Sequence, residues 1–532
     1  MLKKLLTVAT AVMILAGGAW AQRRSIDHPM TRAVLEAYTG MIKENPQDYE
    51  AYLQRAREYY NHDEYMPALA DITEALKFIP AQNKELRFDA FFLRANIYIQ
   101  TGHAQDALTD LNSALALDPS SFSTLYLKAN TEYDLKQYGA AKSDYQRMLR
   151  INPRSTEAML GLALVAVKEN NIGLANDYLD QAVTVDSQNA KVYLRRAAVR
   201  QLMGNDSGAI DDLLLALSID STNPKAVDAL LKYADTNYNA VISGLTSAIA
   251  QAPKNALYLY LRAQIAQAHN HYAPAVADYR KILAERLYNY NGIYASLAEC
   301  ELNMGQYQKA FDDINYALVQ NTNNHAYYLI RSQVMRALSN NSKAIDDAAR
   351  ALAIKPGLTE ALMQMARCYI DNKNYKAAAD LLGEACLSVT ANPELLLLRA
   401  SVLDKLNQPQ AALLMRTNAA AISNFAPDDV RSLKGFALES VGDNSQAQAW
   451  IDNILSSGKD QDGLANYYGA CFYAARGDND RALQCAEESL RKGYGNYYNW
   501  MLNTDAPVNI APLRNDLRFL NLIERYGSLF KE

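Results

Sequence analysis

The chain has 532 residues, half of them apolar and 21% charged, with a formal charge of −5. That supplies a continuous apolar core, and a mildly acidic chain with no basic block is a poor nucleic-acid or anionic-lipid binder. Its five cysteines (Cys300, Cys368, Cys386, Cys471 and Cys485) are too odd a number for an exported chain to pair them all internally.

At the amino terminus, Lys3 and Lys4 precede an apolar run from Leu5 to Leu15, then Gly17-Gly18 and the small-x-small sequence Ala19-Trp20-Ala21. This predicts a secretory signal peptide over 1–21 cleaved before Gln22. The run is too short for a permanent membrane span, so the expected mature chain is exported, periplasmic first and secreted or surface-associated second. Loss of the leader would remove two positive charges. Residues 22–48 read as a single capping helix, about Met30–Glu44, ended by Pro46.

From there a small residue recurs every 34 or 35 residues: Ala68, Ala107, Ala141, Ala175, Ala209, Ala275, Ala310, Ala344, Ala378, Ala412, Ala447 and Ala482. The first step is 39, and the double step from Ala209 to Ala275 is 66, with Val241 standing for the hidden repeat. Twelve residues before each stands a second: Ala56, Ala95, Ala129, Ala163, Ala197, Ala229, Ala263, Ala298, Ser332, Ala366, Ala400, Gly435 and Ala470. Between them lies a break such as Gly102-His103 or Gly305-Gln306, with apolar residues at helical spacing on either side. The pattern is a helix hairpin, A then B, whose small residues meet where the axes come closest. Pro80, Pro119, Pro153, Pro253 and Pro356 stop the second helix.

These units resemble the tetratricopeptide repeat family, most clearly over Phe91–Pro119 and Tyr328–Pro356. Tyr65, Tyr138, Tyr272, Tyr307 and Tyr375 also fit its pattern, each three residues before a helix-B small residue. The resemblance implies an all-α, right-handed superhelical solenoid of about thirteen hairpins over 49–491, with helical caps, and a binding scaffold rather than a particular activity.

One position before the helix-A small residue there is often a cation, and three after the helix-B one an Asp: Arg55/Asp71, Arg94/Asp110, Lys128/Asp144, Arg196/Asp212, Arg262/Asp278 and Arg331/Asp347. The two are commonly lost together, as at Leu162/Tyr178, Met365/Leu381 and Gly469/Cys485. Joint loss is what a semi-buried structural pair predicts, because a stranded charge costs about 3–5 kcal/mol. Leu297/Asp313, Asp228/Gly244, Arg399/Met415 and Lys434/Trp450 depart from the rule.

The remainder, 492–532, reads as a carboxy-terminal capping segment. It is rich in Tyr494, Tyr497, Tyr498 and Trp500 and closes with a helix around Leu517–Ile523. Nothing is left over for a catalytic domain. No phosphate-binding loop, His-Glu-x-x-His, Cys-x-x-Cys or Gly-x-Ser-x-Gly motif occurs, so neither enzyme activity, a cofactor nor a metal is expected. His269-x-His271 at a hairpin turn reads as a solvent-exposed, unliganded pair, and Cys471 and Cys485 as small buried residues on opposing helices.

What remains is a binding surface. The resemblance implies that helix A lines the concave side, with ligand contacts from four recurring positions. In the first three repeats these hold Arg57, Asn96 and Asn130, then Phe92 and Tyr126, then Tyr60, Ile99 and Tyr133. Stacked primary amides, each a donor and an acceptor, can hold an extended peptide, and the aromatic faces can take apolar side chains or sugar rings. The other reading is that these residues only touch the neighbouring helix. Phe92 and Tyr126 stand where carboxylate-clamping relatives carry Lys, so that clamp is not expected. The expected partner is a protein or peptide; a glycan, or a role as non-catalytic subunit of an envelope enzyme complex, is the alternative.

Overall fold

The computed structural model describes residues 29–287, 292–388, 392–423, 431–503 and 508–530. The leader expected over 1–21 lies outside them. All regular elements among the described residues are helical. A first helix, Pro29–Glu44, packs on the first hairpin, Tyr49–Asn61 with Tyr65–Phe78. Hairpins then follow from Lys84–Gln100 with Ala104–Leu117 to Leu464–Ala475 with Asn479–Arg491, and with the first they make thirteen among the described residues.

Local chemistry sets both ends of helix A. In most hairpins its start is capped by a short polar side chain that accepts from a backbone N–H, such as Asp48 from Ala51 at 3.0 Å, Ser155 from Ala158 at 3.1 Å and Asn392 from Leu395 at 3.1 Å, whereas Gly292, Leu358 and Gly463 stand at that position without such a bond. Its end is a single left-handed residue in the A–B turn. Gly102, Gly204 and Gly305 serve in three hairpins, but Asp63, Lys136, Asn170, Ser339, Lys373 and Asn407 adopt the same conformation in others. The turn is therefore held by its backbone hydrogen bonds, for example His103 N to Tyr98 O at 2.7 Å.

Burial explains the small residues. The twelve helix-B alanines are at most 1% exposed, and Ala56, Ala95, Ala129, Ala263, Ala298, Ser332 and Ala366 opposite them are fully buried. A larger side chain at such a crossing would overpack it at about 1–3 kcal/mol.

The sixth hairpin departs from the rule. Its helices run together as Pro224–Gln251, kinked at Asn237 (φ −135°, ψ 46°), with no left-handed residue at the turn. Ala229, expected to be its buried small residue, is half exposed. Ala226, Val227, Tyr233 and Ala234 are buried instead, the pattern that Thr124, Leu125, Thr131 and Glu132 show in the third hairpin. That register puts Leu231 at the small position, ten residues before Val241 rather than twelve. Two residues are missing from the turn, and the helix bends where it would otherwise have broken. The chain divides into two compact units at this point, one ending at Leu230 and the other running Leu231–Glu532.

Within each unit successive A helices touch. Tyr49–Asn61 meets Lys84–Gln100 and Phe122–Asp134 meets Thr156–Lys168 in one unit, and Ile293–Asn303 meets His325–Ala337 in the other. B helices approach chiefly A helices. The more crowded layer of a curved stack is its inner one, so helix A supplies the inner face.

Candidate ligand face

Six Arg or Lys side chains on helix A meet the Asp sixteen residues on in helix B. Arg55 donates to both Asp71 oxygens at 2.7 Å, Arg94 to Asp110 at 2.7 and 2.8 Å, and Arg196 to Asp212 at 2.9 and 2.7 Å. Arg262 holds Asp278 and Arg331 holds Asp347 in the same two-pronged way, and Lys128 bonds Asp144 and Glu132. The Asp71, Asp110, Asp144, Asp212, Asp278 and Asp347 residues are all buried. Hydrogen bonding to Asp71 raises the Arg55 pKa; for Arg94 and Arg196 burial works against the charge, and the paired Asp overrides it.

The same spacing of sixteen also runs backward. Arg55 donates to Thr39 at 2.9 Å, Arg196 to Asp180 at 2.8 Å, Arg262 to Thr246 at 2.9 Å and Arg331 to Asn315 at 2.9 Å. Each guanidinium thus ties its own hairpin to the preceding helix, and several lie over an aromatic ring three residues earlier, such as Arg196 over Tyr193 at 5.5 Å. These side chains are joints of the scaffold. The exceptions have substitutes: Lys434 sits 4.8 Å over Trp450, and Arg399 reaches the Met415 sulfur at 4.0 Å.

The groove candidates occupy helix A of the first three hairpins and divide into two kinds. Asn130 accepts the Tyr145 hydroxyl at 2.5 Å, and Gln264 and Tyr279 repeat this link at the equivalent positions, 2.9 Å apart. Burial raises the pKa of the Tyr145 phenol far above its ordinary value. Tyr145 in turn lies against Gly161 of the next helix, where a Cβ would fall 2.3 Å from the ring. Asn130 is therefore committed through its oxygen to a packing lock. Asn96 donates to the Phe92 carbonyl at 2.8 Å. Arg57 forms an ion pair at 2.7 Å with Asp89 of the next hairpin, both partly exposed. Among the described residues the Asn96 oxygen and the Asn130 amide nitrogen keep no partner, so consecutive repeats offer an acceptor and a donor.

The aromatic candidates are better placed to meet solvent. Tyr126 is 39% exposed, and Tyr60, Phe92, Ile99 and Tyr133 are half-buried. Burial, then Tyr138, raises the Tyr133 phenol; the two rings are 5.4 Å apart. A shallow cleft that spacing alone did not indicate adjoins Arg57, lined by Tyr38, Met41, Gln54 and Leu86. It exists because the first helix, Pro29–Glu44, stands where an earlier helix B would stand.

Two other expectations resolve here. His269 and His271 are not a solvent-exposed pair: His269 is 5% exposed, and both rings lie against Tyr238, at 4.8 and 4.5 Å. None of the five cysteines forms a disulfide, and burial pushes the Cys471 and Cys485 thiols up to about 12 and 11, so both behave as small apolar residues. Among the described residues no His/Cys/Asp/Glu group is arranged to hold a metal, and no helix is long and apolar enough to cross a membrane.

Family models described as tetratricopeptide repeats match residues 88–121 and 126–190. Human tetratricopeptide repeat protein 7B is 29% identical over 130 residues, 24% of this chain and 15% of that one. The Pongo abelii mitochondrial import receptor subunit TOM34 is 31% identical over 108 residues, 20% of this chain and 35% of its own. The matches thus span well under two thirds of these relatives. Among solved structures, YrrB, described as a TPR protein with an unusual peptide-binding site, covers 37% of this chain and 98% of its own at 22% identity and TM-score 0.31. Yeast Tom70 covers 77% and 97% at 14% identity and TM-score 0.35. The hairpin recognised at 88–121 and 126–190 recurs on both sides of those segments with the same buried small residues and, outside the sixth hairpin, the same left-handed turn, so the chain carries tetratricopeptide repeats.

Proposed function

We propose that this protein is an exported, non-catalytic scaffold that binds a protein or peptide on the helix-A face of its first three repeats. The first helix and the carboxy-terminal segment serve as caps. The observation that carries the reading is the coincidence, in consecutive repeats, of Phe92 and Tyr126 at one position with Asn96 and Asn130 at another. The first pair offers aromatic surface. The second offers an open acceptor and an open donor, the alternation an extended peptide backbone presents. Arg57, held by Asp89, limits the face on one side and favours an acidic or neutral ligand end there. The charged-then-apolar amino terminus supports export, with the periplasm as the expected compartment.

The test is capture from envelope extract with mature chain 22–532, wild type beside a Tyr126→Ala/Asn96→Ala variant, with circular dichroism confirming equal helicity. A protein retained by wild type and lost by the variant supports the site. Equal retention moves the site off these repeats, and retention of no protein by either removes the protein-scaffold reading.

A further inference from the structure

The carboxy-terminal unit closes on itself. Turns of the sixth, seventh and eighth hairpins meet chain that follows about two hundred residues later. Tyr238 N donates to Gln461 Oε1 at 3.2 Å, and the Gln461 amide donates back to the Thr236 carbonyl. Asn270 donates to Asp462 at 2.7 Å, Gly495 N to the Asn270 carbonyl at 3.1 Å, and Asn496 to Asn303 at 2.9 Å. The contact is close: a Cβ at Gly493 would lie 2.0 Å from the His271 ring, and one at Gly305 would lie 2.6 Å from Tyr497. At its centre the Tyr238 ring stacks on His271 at 4.5 Å and 16° and tilts against His269 at 4.8 Å. The His271 Nε2 is buried without a hydrogen-bond partner.

We propose that this seam is an acid-released latch, in which protonation of His269 and His271 parts the late turns from residues 461–462 and 493–497 while the hairpins themselves stay folded. An imidazolium needs two acceptors or water, and an aromatic stack under a glycine backbone offers neither. The charged and titratable groups around the pair come from several elements: Tyr238 of the sixth hairpin, on which Arg262 of the seventh and Asp462 of the closing chain act; Tyr272 of the seventh, which interacts with Glu299 and Cys300 of the eighth and with Asp462 and Tyr494; and Asp460, beside Asp462 and paired with Lys492. The acids among them are engaged elsewhere. Asp462 takes Asn270 and Leu464 N, Asp460 takes the backbone of Ala465 and Asn466, and Glu299 takes Gln267 at 2.9 Å.

Burial lowers both imidazoles to about 4, with the His269 charge adding to the effect on His271. A lowered His pKa favours the closed form fully above the solvated value of about 6.5, and that preference is lost as pH falls toward 4. Asp462 acts the other way: burial raises it to about 6, so the closed form gains a proton, and holds, between that value and the ordinary carboxylate range. Between pH 7 and 5 each solvated imidazole favours opening by about 22-fold and Asp462 resists by about 9-fold, so opening rises on the order of 50-fold.

Amide exchange in the mature chain reads this directly. Protection factors at Tyr238 and Gly495, whose N–H groups cross the seam, are expected to fall on the order of 50-fold between pH 7 and 5. Amides inside Pro393–Lys405 should keep theirs. A His269→Gln/His271→Gln variant should stay closed at pH 5. If that variant does not fold, Gly493→Ala, which drives a Cβ into His271, should show the same loss at pH 7 with helicity intact. Unchanged seam protection at pH 5, equal loss in the Gln variant, or loss spread evenly over all helices would overturn the latch.

Discussion

Arg280 donates to Asp313 at 2.7 Å across the boundary between the seventh and eighth hairpins. It does so from the helix-B position where other repeats keep Thr246, Asn315 or Asp180. The eighth hairpin has Leu297 where its neighbours have Arg, so Asp313 has no cation of its own. The preceding helix supplies one, and Arg280 also meets the fully buried Glu301 at 2.5 Å. The third hairpin has the same two carboxylates, Glu132 and Asp144, but bridges both with its own Lys128. The charge joint is thus kept while its source moves by one helix.

Arg280→Met should therefore cost as much as breaking a pair inside a hairpin, about 3–5 kcal/mol, because the buried Asp313 loses its cation and Glu301 a hydrogen-bond partner. Adding Leu297→Arg to that variant should recover most of the loss. Urea midpoints of wild type, single and double variants decide it, and a double variant no more stable than Arg280→Met would show that Arg280 acts by packing alone.

The second hairpin offers a cleaner cycle. The fourth hairpin fills the two joint positions with Leu162 and Tyr178 and remains packed. Arg94→Leu and Asp110→Tyr should each destabilise by about 3 kcal/mol or more, and the double variant should lose clearly less than their sum. Additive losses would mean that the Arg94–Asp110 pair carries no coupling.

The fold was legible in the sequence because two small residues at fixed spacing report a helix crossing directly, and their burial does not depend on what surrounds the hairpin. Ala229 misled for a local reason: a count of twelve back from Val241 crosses a turn two residues short, and only the burial of Ala226 and Val227 sets the register. The six ion pairs were visible as covarying positions along one chain. Their backward partners Thr39, Thr246 and Asn315 were not, although the same interval of sixteen would have found them. Asn130 shows why the ligand face was harder. A polar residue on an inner face looks alike in sequence whether it meets a ligand or a buried phenol such as Tyr145. The seam at His269 and His271 joins residues some two hundred positions apart, which no repeat period encodes.

Asn130 and Asn96 should separate when each is replaced. Asn130→Ala leaves the Tyr145 hydroxyl buried without its acceptor and should cost about 1–3 kcal/mol. Asn96→Ala removes a bond to its own helix, to Phe92 four residues earlier, and should cost under about 1 kcal/mol. Thermal midpoints of the two variants are the measurement, and equal shifts would return Asn130 to the same standing as Asn96.

Glu301 makes the stability of its unit depend on pH. Burial first, and the neighbouring Asp313 next, push its carboxyl up to about 8 against the pull of Arg280, and burial also raises Asp313. A raised acid favours folding through its bound proton: the contribution is complete below about 4.5, the unfolded value, and disappears as pH rises through 8. Glu301→Gln keeps the shape and the neutral form at every pH. The variant should match wild type near pH 5 and exceed it by about 2–4 kcal/mol at pH 8.5. Urea unfolding at the two pH values gives the difference, since titrations elsewhere cancel between the chains. Parallel pH profiles would show that Glu301 is ionised in the native protein throughout.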